Sequence, residues 1–232
     1  VRDTLGFVNR QLGIELNSAT DNPLILPQAQ AQNTGDPSNR AFSAGMFHGE
    51  PVGMAMDMLK IAVAEIASLS ERRLYRLTTG NLSQRLPAGL AGKDRPSVGM
   101  MVPQTTAAAL VSENKALGWP ASMDSIPTCE DQEDHIAMST VAARRTTQVI
   151  ENTTRVIAIE LLCAAHALEF RLENDATTKI GEGTERAIQN IEAILFDMPA
   201  YSTIGDQIEA LAAGIKNRLI IADVPFTSVG EQ

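Results

Sequence analysis

The amino-acid sequence predicts an all-α protein, built as a bundle of long helices. Aromatic residues, which favour strands, make up only 4% of the 232 residues, whereas Ala and Met, which favour helices, are plentiful. Apolar residues recur every three or four positions over most of the chain, as one face of a helix requires. The longest such stretch, from Gln132 to Leu172, contains neither Pro nor Gly. As a single helix it would be on the order of 55–60 Å long.

The same spacing predicts five further helices. They cover residues 1–16, about 51–77, about 102–117, about 184–196 and about 204–219. Between the first two, the Asn, Ser, Asp and Pro residues of segment 17–23 favour a turn, and we expect Asn22, which precedes Pro23, to shape it. Residues 28–43 and 80–99 lack a helical pattern and are expected to be loops.

The second of these helices carries apolar residues on several sides. Pro51 occupies a position typical of a first helical turn, and Glu50 places negative charge at the positive end of the helix dipole. Its apolar positions include Met54, Met58, Ile61, Ile66 and Leu69. A helix that is apolar on most sides is usually buried among other helices, and 232 residues alone cannot cover helices of this length. The sequence therefore predicts an oligomer or a missing partner segment.

The sequence begins inside a helical pattern. Residue 1 is Val rather than Met. Residues 1–8 have the pattern expected in the interior of a helix, and no capping residue precedes them. We therefore expect the chain to be a piece of a longer protein.

Charge and composition argue against several classes of protein. The formal net charge is −9 and no basic stripe with interleaved aromatic residues is present, so we expect no nucleic-acid partner. No run approaches about 20 apolar residues and no signal peptide is recognisable, so we expect no membrane segment and a cytoplasmic location. Cys129 and Cys163 form no disulfide framework and are expected to be free thiols. The histidines His48, His135 and His166 are too scattered to indicate a metal site, and none is expected.

Five sequence blocks, in a characteristic order, resemble a known family. They are residues 15–24 (Glu-Leu-Asn-Ser-Ala-Thr-Asp-Asn-Pro-Leu), 45–51 (Gly-Met-Phe-His-Gly-Glu-Pro), 70–73 (Ser-Glu-Arg-Arg), 106–115 (Thr-Ala-Ala-Ala-Leu-Val-Ser-Glu-Asn-Lys), and 124–128 (Asp-Ser-Ile-Pro-Thr) running into 132–135 (Gln-Glu-Asp-His). Together they resemble the aromatic amino-acid ammonia-lyases and aminomutases, a methylidene-imidazolone-dependent family. The last block is similar to that of histidine ammonia-lyases, whereas phenylalanine and tyrosine lyases typically carry Asn-Gln-Asp there. The resemblance covers residues 1–172, as a helical core, and leaves residues 173–232 as a C-terminal helical tail.

This resemblance implies a function for the whole protein: elimination of ammonia from L-histidine to give trans-urocanate. The family forms its methylidene-imidazolone electrophile from an internal Ala-Ser-Gly, and this sequence contains none. The nearest segments are Ala67-Ser68-Leu69 and Ala121-Ser122-Met123. The electrophile, the base tyrosine and the carboxylate-binding arginine would therefore lie in a missing N-terminal half, before Val1. The resemblance implies that this chain is the C-terminal half of a homotetrameric lyase and is inactive alone, with each active site drawing residues from more than one subunit.

The resemblance also implies roles for four residues. Glu133 is the catalytic candidate, near the amino group or the imidazole of the substrate. Phe47 would pack beside the electrophile and the substrate ring, and Gln132 would bind the substrate carboxylate. His135 would support the site without contacting the substrate.

Each of these residues also has a structural alternative. Glu133 and Gln132 could serve the start of the long helix, as dipole partner and cap. His135 could be a structural histidine with satisfied hydrogen bonds, and Phe47 could be a core residue. His48 and Glu50 are expected to stabilise the junction between loop and helix. Arg72 and Arg73 are expected in ion pairs between helices or subunits.

Two other functions are compatible with the sequence. The chain could belong to a lyase or aminomutase for another aromatic amino acid, or to a non-catalytic assembly module or paralogue. Cys129-Glu130-Asp131 stands where family members usually have Ser-Ala-Asn, which adds two carboxylates near the predicted pocket. These carboxylates would attract a cationic group.

Overall fold

The computed structural model describes residues 1–26, 40–92, 98–175 and 177–224, and within them the chain is mostly helical. The helices are α1 (Arg2–Leu16), α2 (Glu50–Thr78), α3 (Met101–Leu117), α4 (Ser139–Asn174), α5 (Glu182–Phe196) and α6 (Ile204–Lys216). Two short strands, β1 (Leu24–Ile25) and β2 (Ala41–Phe42), pair antiparallel, with Leu24 opposite Phe42. The predicted all-α class is therefore confirmed.

The chain divides into two compact units, each made of two separate stretches. Unit 1 contains Val1–Val63 and Ala116–Val149, and unit 2 contains Ala64–Lys115 and Ile150–Gln232. The division falls inside α2 and inside α4. The predicted division into residues 1–172 and 173–232 rests on resemblance to relatives and stays a prediction.

A small apolar core and a buried ion pair stabilise unit 1. The apolar core joins α1 to the first half of α2 through Val8, Ala55 and Leu59. Nearby, the fully buried Lys60 ammonium lies 2.5 Å from the Asp57 carboxylate and donates to the carbonyl of Trp119 at 2.9 Å. The other oxygen of Asp57 accepts from the backbone N–H of Ser122 at 2.7 Å. A buried charge is tolerated only when it is paired in this way.

Unit 2 contains the larger core, to which five helices contribute. Buried residues at its centre include Leu74 of α2, Val111 of α3, Ile159 and Leu162 of α4, Ile191 of α5 and Leu211 of α6. At one edge of this core, the Glu160 carboxylate accepts from the Ser70 hydroxyl at 2.6 Å and from the Arg73 guanidinium at 2.5 Å. The ion pair predicted for Arg73 is thus confirmed as a contact between α2 and α4. Arg72 instead pairs with Glu71, its neighbour on the same helix.

The helix boundaries agree with the sequence pattern within two residues, except at the start of α4 and at the end of α6, which stops at Lys216 rather than about 219. Helix α4 begins at Ser139, so the predicted start at Gln132 is wrong. Residues 132–138 are good helix formers, but the backbone of Glu133 pairs with that of Thr128, and the N–H of Ile136 donates to the Ser125 hydroxyl at 2.8 Å. These hydrogen bonds to the segment just before residues 132–138 override the helical preference of these residues. Of the predicted loop 28–43, residues 27–39 lie outside the described residues and 41–42 form β2; residues 93–97 of the predicted loop 80–99 also lie outside them.

Several large apolar side chains of α2 remain exposed on this chain. Met54, Met58, Ile61 and Leu69, which the sequence pattern places on several helix faces, are each about half exposed, and Ile66 is half-buried. The predicted burial of these side chains among helices is therefore not achieved within the described part of the chain. None of the helices in that part combines the length and the apolarity that a membrane crossing requires.

Replacing Asp57 by Asn should lower the free energy of unfolding of the complete protein by about 3–5 kcal/mol, because the Lys60 ammonium would lose its buried partner. Burial raises the pKa of Asp57, but the hydrogen bonds from Lys60 and Ser122 outweigh it and hold the pKa below its ordinary 3.8. The Asp57 carboxylate therefore stabilises the folded protein fully above pH 3.8. This stabilisation is lost as the pH falls through the lowered pKa that Asp57 has in the folded state. Urea unfolding at neutral and acidic pH measures both effects.

Glu169→Gln provides the matched control for Asp57→Asn. Glu169 pairs with His166 at 3.2 Å, but its side chain is mostly exposed, so the loss should stay below about 1 kcal/mol. Equal losses in the two variants would contradict the assignment of the Asp57–Lys60 pair as a buried stabilising contact.

The two cysteines should differ in reactivity. Burial raises the pKa of the Cys163 thiol to about 12, and the nearby Glu160 carboxylate adds to the shift, so the reactive thiolate is scarce at mildly alkaline pH. Cys163 is also fully buried, whereas Cys129 is exposed. In the native protein, iodoacetamide should therefore modify Cys129 before Cys163, as peptide mass spectrometry would reveal. Equal rates of modification would contradict the burial of Cys163.

Candidate functional site

The candidate site begins at the junction between a short 3-10 helix, Met46–His48, and α2. Gly49 makes the turn with a left-handed backbone, at φ 72°, which glycine adopts without steric cost. The Ser139 hydroxyl, at the start of α4, donates to the carbonyl of His48 at 3.2 Å. A Cβ atom on Gly53 would lie 3.3 Å from the Cα of Ser139. Glycine at these positions therefore lets the start of α2 approach the start of α4 closely.

The β1–β2 ribbon leads into this junction. The side-chain oxygen of Asn22 accepts from the backbone N–H of Ala44 at 3.1 Å, and the Asn22–Pro23 peptide bond is cis. The turn-shaping role expected of Asn22 stays a prediction. This hydrogen bond ties the turn after α1 to the segment immediately before Met46–His48.

A tight turn presents the second part of the site. Thr128 and Glu133 exchange backbone hydrogen bonds at 3.0 and 3.3 Å. The three residues Cys129, Glu130 and Asp131 between them all have a left-handed backbone, at φ 55°, 57° and 66°. This conformation is uncommon for residues other than glycine. The backbone pairing therefore holds Glu133 at the base of a strained turn rather than in a helix.

The structure brings the junction and the turn together in one side-chain contact. Nε2 of His48 lies 3.2 Å from Oε2 of Glu133, and the two side chains are 19% and 31% exposed. The ring of Phe47 packs beside the His48 ring, with centroids 4.0 Å apart and an interplanar angle of 35°. Phe47 itself is about two-fifths exposed. Phe47, His48 and Glu133 therefore form a half-buried cluster, which we call the Phe-His-Glu cluster.

The other predicted residues lie beside this cluster rather than in it. Gln132 and His135 both have exposed side chains, and the backbone N–H of Gln132 donates to the carbonyl of Cys129 at 3.2 Å. Because α4 begins at Ser139, the alternatives that assign Gln132 and Glu133 to the start of that helix are wrong. Their predicted roles toward a substrate stay predictions.

The sequence does not predict the pairing of His48 with Glu133. The predicted contribution of His48 to the loop-to-helix junction is confirmed, because its carbonyl accepts a hydrogen bond from Ser139. The ring of His48 contacts Glu133 instead. The two residues are distant in the chain, and no periodic pattern relates them. The one signal that could have found the pair is that both belong to blocks with the same family resemblance.

Negative charge surrounds the turn that carries Glu133. Glu130, Asp131 and Asp134 are exposed carboxylates within three residues of Glu133. A concentration of one sign of charge attracts cationic ligands. Among the described residues, no set of three or more His, Cys, Asp or Glu side chains is arranged to bind a metal ion.

Comparison with known proteins gives one consistent result. The sequence profile described as aromatic amino acid lyase matches residues 1–193. The chain is 45% identical over 218 residues to a protein named histidine ammonia-lyase from Caldanaerobacter subterraneus subsp. tengcongensis, covering 92% of this chain and 40% of that protein. A similar match to a Bacillus subtilis protein of the same name, 43% identical, covers 95% of this chain and 41% of the relative. The chain thus spans about 40% of the length of these curated relatives.

A solved structure of a relative has the same fold. The crystal structure of histidine ammonia-lyase from Trypanosoma cruzi superposes with a TM-score of 0.79 at 34% identity, covering 99% of this chain and 46% of that chain. The profile match and the sequence identities lead to the same conclusion as the five sequence blocks: the chain belongs to the aromatic amino acid lyase family.

Proposed function

We propose that this chain is the C-terminal part of an ammonia-lyase that converts L-histidine to trans-urocanate and ammonia. The observation that carries the proposal is the Phe-His-Glu cluster, in which the ring of His48 contacts both the carboxylate of Glu133 and the half-exposed ring of Phe47. The curated relatives named histidine ammonia-lyase support this choice of substrate. So does the Gln132–His135 block, through its similarity to that of histidine ammonia-lyases.

Glu133 has the properties that binding of a cationic substrate requires. Its Oε2 contacts His48, and among the described residues no hydrogen bond to Oε1 is found. An ammonium group or an imidazole N–H of L-histidine could donate to that oxygen, and a charge-assisted hydrogen bond of this kind is stronger than a neutral one. The neighbouring carboxylates Glu130, Asp131 and Asp134 favour approach of the same cationic groups.

The remaining predicted residues complete the proposed pocket. Phe47 offers an apolar ring surface against which the substrate imidazole would pack. The exposed amide of Gln132, next to Glu133 in the chain, would donate to the substrate carboxylate. His135 would support the turn from outside and would not contact the substrate.

The electrophile must come from outside this chain. The family is known to use a methylidene-imidazolone, but Ala67-Ser68-Leu69 lies within α2 and Ala121–Met123 forms a 3-10 helix. With Leu or Met in place of the glycine, neither segment fits the precursor. An N-terminal half of the same protein would supply the group, in agreement with the 40% of the relatives' length that this chain spans.

The proposal includes a homotetramer located in the cytoplasm. The half-exposed apolar residues of α2, Met54, Met58, Ile61 and Leu69, are surface that a partner subunit or the N-terminal half would cover. Both cysteines are free thiols, as is usual for proteins of a reducing compartment.

A lyase or aminomutase for another aromatic amino acid is the second candidate. The structure of a tyrosine aminomutase from Streptomyces globisporus superposes with a TM-score of 0.82 at 29% identity, covering 97% of this chain and 41% of that chain. Assays of the complete enzyme with L-histidine, L-tyrosine and L-phenylalanine separate the two candidates. Inactivity with all three would favour the non-catalytic alternative.

In the complete enzyme, Glu133→Gln should lower turnover of L-histidine at least about tenfold, equivalent to about 1.4 kcal/mol of barrier. The amide keeps the size of the side chain but loses the charge that a cationic group of the substrate needs. Urocanate formation under saturating substrate measures the effect.

The matched control is Glu130→Gln, which makes the same chemical change three residues earlier, on an exposed side chain. It should leave turnover within about twofold of the unmodified enzyme, because an exposed charge that does not contact the substrate acts only through a screened field. Unchanged kinetics in Glu133→Gln would remove Glu133 from the site.

The 232-residue chain, purified alone, should form no urocanate from L-histidine, because it contains no Ala-Ser-Gly from which the electrophile could form. The assay compares the chain with the complete enzyme at equal molar concentration. Turnover that copurifies with the chain through two separation steps would contradict this account of the electrophile.

A further inference from the structure

We infer that His48 is a positioning residue for Glu133: its Nε2, which lies 3.2 Å from Oε2, holds the carboxylate in the orientation in which Oε1 faces the substrate. This inference rests on the proposed function, because it assumes that Glu133 acts on the substrate. The 3.2 Å contact is the observation that carries it. No role of this kind follows from the sequence blocks alone.

Glu133 needs such a partner because only its backbone is held by the turn. The backbone bridge to Thr128 sets the position of its Cα atom, but the side chain retains its own rotatable bonds. Ordering a Glu side chain in one conformation costs conformational entropy. A contact already formed before the substrate arrives removes much of that cost from the binding and reaction steps.

His48 is suited to this task because its own position is constrained at three points. Its carbonyl accepts from the Ser139 hydroxyl, its ring packs against Phe47, and the left-handed Gly49 follows it directly. Its side chain is 19% exposed, so water competes only weakly for the contact with Glu133. The donor is thus presented by a rigid junction, as supporting contacts to a functional carboxylate require.

The same geometry links the two residues proposed to contact the substrate. Phe47 and His48 are adjacent in the 3-10 helix, so the segment that presents the apolar ring also orients the carboxylate. A shift of this segment would move both the ring of Phe47 and the donor to Glu133. The inference therefore predicts that His48 affects the reacting geometry more than the stability of the protein.

The test uses the complete enzyme with three substitutions of His48. His48→Phe keeps a ring but removes the N–H group. In His48→Gln the side-chain amide can place an N–H near the position of Nε2, whereas the shorter amide of His48→Asn cannot reach that position. His48→Phe and His48→Asn should lower kcat for L-histidine roughly tenfold, with His48→Gln recovering most of the loss. KM should change less than kcat, by about twofold or less.

A double-mutant cycle separates positioning from an independent role. If His48 acts through Glu133, His48→Phe combined with Glu133→Gln should be no slower than Glu133→Gln alone. The inference would be overturned if the fold-loss in kcat of the double variant equalled the product of the two single fold-losses. His166→Phe, which removes the other His–Glu pair, at His166 and Glu169, should leave kcat unchanged and serves as the matched control.

The outcomes distinguish this inference from the proposed function. If Glu133→Gln has unmodified kinetics, the proposed function itself fails. If Glu133→Gln is slow but His48→Phe and His48→Asn turn over normally, only the positioning role fails. Should His48→Phe not fold, His48→Asn and His48→Gln carry the comparison alone, and equal kcat values for these two variants would overturn the inference.

Discussion

The close approach of the starts of α2 and α4 is the constraint on which the candidate site depends. Gly49 and Gly53 leave room for Ser139, whose hydroxyl then reaches the carbonyl of His48. A larger residue at Gly53 would meet the backbone of Ser139. Once this junction is closed, the ring of His48 lies against Glu133, and Phe47 takes its place beside it. The arrangement of the Phe-His-Glu cluster thus depends on two glycines, which carry no functional group.

Polar contacts between helices give each unit a defined packing. In unit 1, the hydroxyl of Thr146 in α4 lies 2.9 Å from the carbonyl of Met56 in α2. In unit 2, the Glu160 carboxylate binds both Ser70 and Arg73 of α2. Apolar residues such as Ala and Leu would permit several helix registers, whereas a buried hydrogen bond is satisfied in one register only. These contacts therefore specify the alignment of long helices whose apolar surfaces alone would not.

The sequence predicts the helices well because their periodicity is long and strong. It fails at the start of α4, where Gln132 and Glu133 favour a helix but the segment is held by hydrogen bonds to Thr128 and Ser125, a few residues earlier in the chain. The sequence resemblance selects Phe47 and Glu133, which the structure places in one cluster. It does not predict His48 as the partner of Glu133, because a contact between residues so distant in the chain leaves no local pattern.

Neither unit is a continuous stretch of the chain, and this has a consequence for recombination with relatives. A chimaera that takes residues 1–63 from another family member keeps residues 116–149 from its parent, although both stretches build unit 1. Every single crossover near residue 64 therefore divides the Phe-His-Glu cluster, with Phe47 and His48 from one parent and Glu133 from the other. Such chimaeras should keep unit 1 intact mainly when the parents match at these three positions and at the other contacts between the two stretches, such as Asp57 with Ser122.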